Sequence, residues 1–254
     1  MQMPAWAELL RAKEEGVVEL PLKNPQGKHF AWSHTALAQY RTCPNQYAGS
    51  RFYEKVKFVE TEATRWGNTV HKALENRLKG KAPELPPGMQ KWDKYCRAFL
   101  DAADKKGGAL HAELKITINR NFHLTSWFGS DAFGRCMLDV VIDCGDTVYI
   151  YDWKTGKKKH DPAQLRTNAA MAHLRFPDAE KFVTKYVWLI EDGSEATTGE
   201  IIPVEDIPDI WGEIIRQIVV LEESWMLECF PLRPSGLCYG WCGYKQCSSW
   251  KPKK

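Results

Sequence analysis

The stretch GRCMLDVVIDCGDTVYIYDWKTGK, Gly134 to Lys157, constrains the fold of this chain more than any other. Apolar and polar residues alternate on both sides of Gly145–Asp146, the pattern of two strands, Arg135 to Asp143 and Thr147 to Lys154, joined by a tight turn. Glycine at the first of two loop positions suits a type II′ turn, and that turn sets Asp139 opposite Asp152. Opposed side chains stand about 4.5–5.5 Å apart at Cβ, so two like charges there destabilise the ladder unless something compensates. A divalent cation held by oxygen ligands is an economical compensation. Lys154 follows Asp152 by two residues, and the period-two pleat places both on one face. One sheet face is therefore expected to carry Asp139, Asp152 and Lys154. A cation between the acids would polarise a phosphodiester, and the ammonium would orient a water and stabilise developing charge. The same triplet also arises by chance on solvated hairpins, so spacing alone leaves a plain charged ribbon open.

The flanking pattern supplies the rest of the architecture. Ser33 reads as the N-cap of a helix that buries Leu37 and Tyr40 and ends before Pro44, with a second helical piece through Tyr47 and Phe52. Trp66, Val70, Leu74 and Leu78 recur every four residues, the stripe of an amphipathic helix over about 61–78. Trp92, Tyr95, Cys96 and Phe99 mark another, stopped at Gly107–Gly108. Leu110 to Ile118 alternates as a strand, Asp161–Pro162 starts a helix, and Lys181 to Ile190 and Gly199 to Val204 are further strands. Pro208 to Leu227 is a long amphipathic helix carrying Trp211, Ile214, Ile218, Glu222 and Trp225. The expected class is α/β in the broad sense, or α+β: a central mixed, mostly antiparallel sheet flanked by helices. Residues 1–30 read as a loosely attached leader and 31–254 as one domain, with a tail over 229–250.

Other residues around the hairpin can join its chemistry. His71 borders the buried stripe of the 61–78 helix, one turn after Gly67; it is either a half-buried structural histidine or a further metal ligand. Glu113 lies on the face opposite Leu114 and Ile116, as a third carboxylate or as the partner of a cross-strand cation, and spacing does not separate the two. Gln164 falls in the first turn after Asp161–Pro162, where its amide could meet a phosphate or an attacking water. Lys157, Lys158 and Lys159 form a basic run where a phosphate backbone would pass, although such runs are usually solvated loop. The net charge of the 254-residue chain is only +3, so any nucleic-acid affinity must come from such local placement.

Eight cysteines, with no basic-then-apolar start of a secretory signal and no apolar run long enough for a membrane span, point to a reducing compartment and to metal before disulfide. Cys238, Cys242 and Cys247 read C-x3-C-x4-C among glycines and can converge on one ion or cluster. Cys43, followed by Pro44, is the natural fourth ligand and would pin the N-terminal helices to the tail. Cys96, Cys136, Cys144 and Cys229 read as packing residues.

Together the segments SHTALAQYRTCPNQY, WGNTVHKALE, AELKI, GRCMLDVVIDCGDTVYIYDWKTGK and QLRTN resemble the PD-(D/E)xK nuclease superfamily, in particular its RecB-like and phage-exonuclease branch. The motifs run in the family order over about 33–168, and the cysteine-rich end extends the likeness to about 250. The resemblance implies a restriction-endonuclease-like core and a Mg²⁺- or Mn²⁺-dependent deoxyribonuclease acting on linear or single-stranded DNA ends. It implies the cytoplasm of a bacterium or phage-infected cell, no membrane, and work either alone or with a helicase or recombination partner. By resemblance Asp139 and Asp152 hold metal with His71 and the carbonyl of Trp153, Lys154 is the catalytic lysine, Gln164 is the glutamine of the next motif, and Glu113 is an extra glutamate serving a second ion. Where the family often has a tyrosine four residues after that glutamine, Asn168 stands here. Cys43, Cys238, Cys242 and Cys247 resemble the ligands of a 4Fe-4S cluster in the RecB-like iron–sulfur nucleases. The middle cysteine is displaced by one from their usual spacing, which keeps structural zinc as the alternative. An end-trimming nuclease of the CRISPR-adaptation type and a non-catalytic DNA-binding module clamped by a metal site are the competing functional readings.

Overall fold

Ser33 has extended backbone and its hydroxyl accepts from the Ala36 N–H at 3.2 Å, which starts helix α1 (His34–Thr42) and buries Ala36, Leu37 and Tyr40. Cys43 interrupts the helix with extended backbone, and Pro44 restarts it at the first helical position as α2 (Pro44–Tyr47). The chain then takes a π-helical turn, Ala48–Phe52. These elements belong to a computed structural model that describes residues 27, 29–56, 59–191 and 196–252. The expected leader lies almost wholly outside the described residues. Its last residue, Phe30, is fully buried between Phe133 and Trp225.

Helix α3 (Glu62–Leu78) opens on Thr61, whose hydroxyl accepts from the Thr64 N–H at 3.1 Å, and buries Val70, Leu74 and Leu78 as the four-residue repeat predicts. Trp66 departs from that expectation. It remains 45% exposed, its ring leaning on Trp92 at 6.3 Å instead of entering the core. Helix α4 (Asp93–Lys106) buries Cys96, Phe99 and Ala103 and ends where Gly107 takes a left-handed φ of +62°.

Five strands follow in spatial order β1-β2-β3-β4-β5: β1 (Ala109–Ile118), β2 (Gly134–Asp143), β3 (Thr147–Lys154), β4 (Lys181–Trp188) and β5 (Thr197–Pro203). Neighbours are antiparallel except β3 and β4, which run parallel because helix α5 (Pro162–Arg175) carries the chain back between them. The predicted turn is present. Gly145 has φ +81° and donates its N–H to the Asp143 carboxylate at 2.9 Å, and Val140 pairs with Tyr151 in the predicted register.

Helices cover both faces of the sheet. On one, α3 and α4 pack Val70, Leu74, Cys96 and Phe99 against Val140, Ile142 and Trp153. On the other lie α1, α2, α5 and α6 (Ile207–Met226), where Trp32, Tyr47, Trp211 and Trp225 fill the core. Much of the tryptophan content is thereby used as bulk packing. Glu222 of α6 is buried in that layer and paired with Arg120, whose guanidinium also stacks over Phe133 at 4.8 Å. Among the described residues no helix is long and apolar enough to cross a membrane.

Of the four cysteines read as packing residues, Cys96 is buried and the Cys136 thiol is enclosed, but Cys229 is exposed. It falls just beyond α6, after Leu227, where the chain leaves the helical layer. Past this point the tail folds back on the N-terminal helices. The Tyr244 ring, 8% exposed, lies on Gly49, so close that a Cβ added there would stand 2.6 Å from two ring carbons. Gly49→Ala is therefore expected to cost about 1–3 kcal/mol through overpacking and to loosen the tail. A fall of several degrees in Tm together with faster proteolytic cutting within 231–250 would bear this out; unchanged protection of the tail would contradict it.

Candidate active site

Both ladders flanking β2 are interrupted at the level of Asp139. Pairing between β2 and β3 stops at Val140 and Tyr151, one rung short of Asp139 and Asp152. Pairing between β1 and β2 skips the rung of Glu113 and Asp139, where Glu113 takes φ +53°. A left-handed backbone at a residue other than glycine is strained and persists only where its surroundings hold it. The inward–outward alternation slips here as well: Leu138 and Val141 join one core and Val140 and Ile142 the other. The strict one-face arrangement expected from period two therefore does not run through Asp139. The gap instead opens the site to both helical layers.

From α3, His71 reaches into the gap. Its Nδ1 is 3.2 Å from Asp139 Oδ1 and its Nε2 is 3.1 Å from the Trp153 carbonyl. Gly67, one turn earlier, lets α3 approach Thr155 at the end of β3; a Cβ there would meet the Thr155 hydroxyl at 3.3 Å. The Trp153 N–H, released from the ladder, donates to Asp139 Oδ2 at 2.9 Å. From α5, Gln164 donates its amide N–H to Asp152 Oδ1 at 2.7 Å and accepts from the Lys154 ammonium at 3.1 Å through Oε1. Lys154 Nζ lies 2.6 Å from Asp152 Oδ2, a charge-assisted contact that partners this buried oxygen. His71, Asp139, the run Asp152–Lys154 and Gln164, four separate places in the sequence, thus meet in one place.

The electrostatics reflect the like-charge pair. Burial, then the charge of Asp139, pushes the Asp152 carboxyl up to about 6, against the opposing pull of Lys154 and His71. For His71, burial disfavours the imidazolium, but the hydrogen bond and charge of Asp139, with the charge of Asp152, outweigh it and hold its pKa above the usual value. Beneath the site burial pushes the Cys136 thiol up to about 12, consistent with an inert packing residue.

Glu113 flanks the Asp139 rung at partial exposure, and its charge acts on Lys72 of α3. Lys157, Lys158 and Lys159 are exposed on the segment leading from β3 to α5. Asn168 is buried and accepts from the Cys136 thiol at 3.5 Å, so it faces the core and not the solvent. Asp161 precedes α5 as expected, but its side chain does not cap the helix; it pairs with His34 at 3.2 Å. Sequence reading did not single out Tyr186 of β4, which stands beside Asp152 in the parallel register. A polar-tipped aromatic in a strand that is buried along most of its length, set level with the acid by the β3–α5–β4 crossover, was the available signal.

A second cluster forms at the other end of α1. Cys43, Cys238, Cys242 and Cys247, none of them in a disulfide, line one small, partly open pocket together with Asn45, Arg233 and Tyr244. The Asn45 amide donates to Cys247 Sγ at 3.2 Å. Burial raises the Cys242 thiol, and the neighbouring Cys238, Cys43 and Cys247 add to this. Among the described residues no group of three or more His, Cys, Asp or Glu side chains is placed so that it could hold a metal ion as it stands, so either expected ligand set would have to draw its side chains together to bind one.

The donor types at the β2–β3 gap, two carboxylates, a peptide carbonyl and an imidazole, are those a hard divalent cation takes. The four sulfurs of the second pocket fit a soft thiolate-bound metal.

In overall structure the chain is similar to SSO0001, with 17% identity and a TM-score of 0.45 over 98% of each chain. It is also similar to an alkaline exonuclease from Laribacter hongkongensis, with 11% identity and a TM-score of 0.36 over 78% of this chain and 89% of that one. A third similar structure is a candidate exonuclease from Eubacterium rectale, with 11% identity and a TM-score of 0.41 over 89% of this chain and 88% of that one. No curated protein matches the sequence. The family model of the PD-(D/E)XK nuclease superfamily matches residues 31–247, nearly the whole chain and all the site residues just described. The chain belongs to the PD-(D/E)XK nuclease superfamily.

Proposed function

We propose that this nuclease hydrolyses phosphodiester bonds at DNA ends with a Mg²⁺ or Mn²⁺ ion held by His71, Asp139, Asp152 and the Trp153 carbonyl. The observation that carries the reading is the pairing gap at Asp139 and Asp152, on which an imidazole from α3 and an amide from α5 converge beside the ammonium of β3. When bound, the cation supplies the Lewis acidity for attack on the phosphodiester. Asp139 and Asp152 supply the negative charge that attracts it, and the Trp153 N–H orients one carboxylate. Lys154 gives one proton to Gln164 and lies against Asp152, which leaves hydrogen-bonding capacity for a nucleophilic water or a phosphate oxygen. Gln164 ties the lysine to the acid by bonding both. Glu113 is proposed for a second ion, and Lys157, Lys158 and Lys159 for the DNA backbone beyond the scissile phosphate. The intact acid-x-lysine set favours this over a silent DNA-binding module.

We further propose that Cys43, Cys238, Cys242 and Cys247 hold a 4Fe-4S cluster that works as a clamp between the tail and the start of α2. The four sulfurs line one pocket, and a cationic metal centre would let them ionise there by offsetting the mutual repulsion of thiolates. Nothing else in the chain suggests electron transfer. Helicase or recombination partners that deliver DNA ends are compatible with a chain that carries no motor motif.

Asp139→Ala and Lys154→Ala are each expected to lower divalent-dependent release of nucleotides from end-labelled linear DNA by about 10²–10³-fold, with circular dichroism unchanged. Chelation should abolish wild-type activity and Mg²⁺ or Mn²⁺ should restore it. Undiminished digestion by both folded variants would contradict the assignment. Anaerobically purified protein is expected to be brown, absorbing at about 400 nm, and Cys43→Ala to be colourless and less protected in its tail. Colourless wild-type protein with one zinc per chain would replace iron by zinc.

A further inference from the structure

Tyr186 sits in β4 directly beside Asp152 and is fully buried, in a small cluster with Leu165 and Trp188 under the first turn of α5. Its hydroxyl donates to the Asp161 carbonyl at 2.7 Å and lies 3.2 Å from Gln164 Oε1. Burial, and then the charges of Asp152, Asp161 and Glu200, hold the phenol far above its usual range, so it is a neutral group with one proton to give. The shorter contact takes that proton, which fixes the backbone just before α5. The Lys154 ammonium stands over the Tyr186 ring, 4.9 Å from its centroid. This is the geometry of a cation–π contact, and such contacts strengthen when water is excluded.

Donor and acceptor rules set the sense of the network. The Gln164 amide must turn its N–H toward the Asp152 carboxylate and its oxygen toward the Lys154 ammonium, because the reverse would set like against like. Tyr186 supports both halves: its hydroxyl anchors the turn that presents Gln164, and its ring face backs the ammonium. His160 meets the ring edge-on at 5.8 Å and adds to its surround.

We propose that Tyr186 is a positioning residue for Lys154, its ring face and its bond to Asp161 holding the lysine ammonium against Asp152 and Gln164. The catalytic consequence rests on the nuclease reading above, whereas the contact itself can be measured without turnover. Tyr186→Phe keeps the ring face and loses the hydroxyl; Tyr186→Leu loses both. The expected result is a fall in kcat of about 10- to 30-fold for Leu and only a few-fold for Phe, with KM unchanged. In a Lys154→Ala background, Tyr186→Leu should cost less than about twofold more, since its effect passes through the lysine.

Spectra of the full chain labelled at the lysine ε-carbons provide the second readout. The resonance lost in Lys154→Arg should lie upfield of the other lysines through the ring current, stay there in Tyr186→Phe, and move to the common position in Tyr186→Leu. Equal losses in the wild-type and Lys154→Ala backgrounds, Phe as damaging as Leu, or a Lys154 resonance at the common position in the wild-type protein would each overturn the proposal. A wild-type protein that cleaves no DNA would count against the nuclease reading, and the resonance would still decide the contact.

Discussion

Asp139 and Asp152 put two negative charges on neighbouring strands, one of them nearly excluded from water, and much of the surrounding structure acts to accommodate this. Left alone, such a pair favours taking up a proton, and burial first, then the charge of Asp139, push Asp152 in that direction. The chain answers with four groups from three elements. β3 gives up a ladder position so that the Trp153 N–H can bind Asp139. α3 sends His71 to the same carboxylate, α5 sends Gln164 to Asp152, and β3 itself returns Lys154. Each answer depends on a packing decision made elsewhere. Gly67 allows α3 to approach, the crossover through α5 lays Gln164 over the sheet, and Glu113 accepts a left-handed backbone where β1 passes the gap.

The second organising contact lies away from this site. Cys43 stands between α1 and α2, and the three late cysteines meet it in one pocket, so the tail closes over the helices that begin the described chain. The tail has little core of its own. Among its anchors are the Phe230 ring on Tyr47 and Phe52, the Tyr244 ring on Gly49, the Asn45 amide on Cys247 and the Arg233 guanidinium on the Arg41 carbonyl. The metal centre proposed there would link chain segments about two hundred residues apart and so restrict the unfolded state strongly.

Local rules carried a large part of this from the sequence. The Gly145 turn fixed the β2–β3 register, Ser33 and Gly107 bounded their helices, and the period-four repeat located α3. What stayed hidden depends on how elements meet. The ladder gap at Asp139 arises from competition between backbone pairing and a carboxylate, which alternation alone does not encode. Trp66 continues the buried stripe in sequence yet remains largely exposed, and Asp161 has the residue type of a cap but spends its carboxylate on His34. Cys229 follows a buried helix yet is exposed, because the chain has by then left the core. Tyr186 needed the parallel register of β4, a non-local fact, before its place beside Asp152 could be seen.

The claim on which the account turns is that the gap between β2 and β3 is a divalent-cation site. Crystals grown with Mn²⁺ and measured at the manganese absorption edge test it directly. The account predicts an anomalous peak within coordinating distance of carboxylate oxygens from both Asp139 and Asp152, with the Trp153 carbonyl and His71 completing the set, and no such peak in Asp139→Ala crystals. Manganese bound elsewhere while this gap stays closed by its own hydrogen bonds would contradict it.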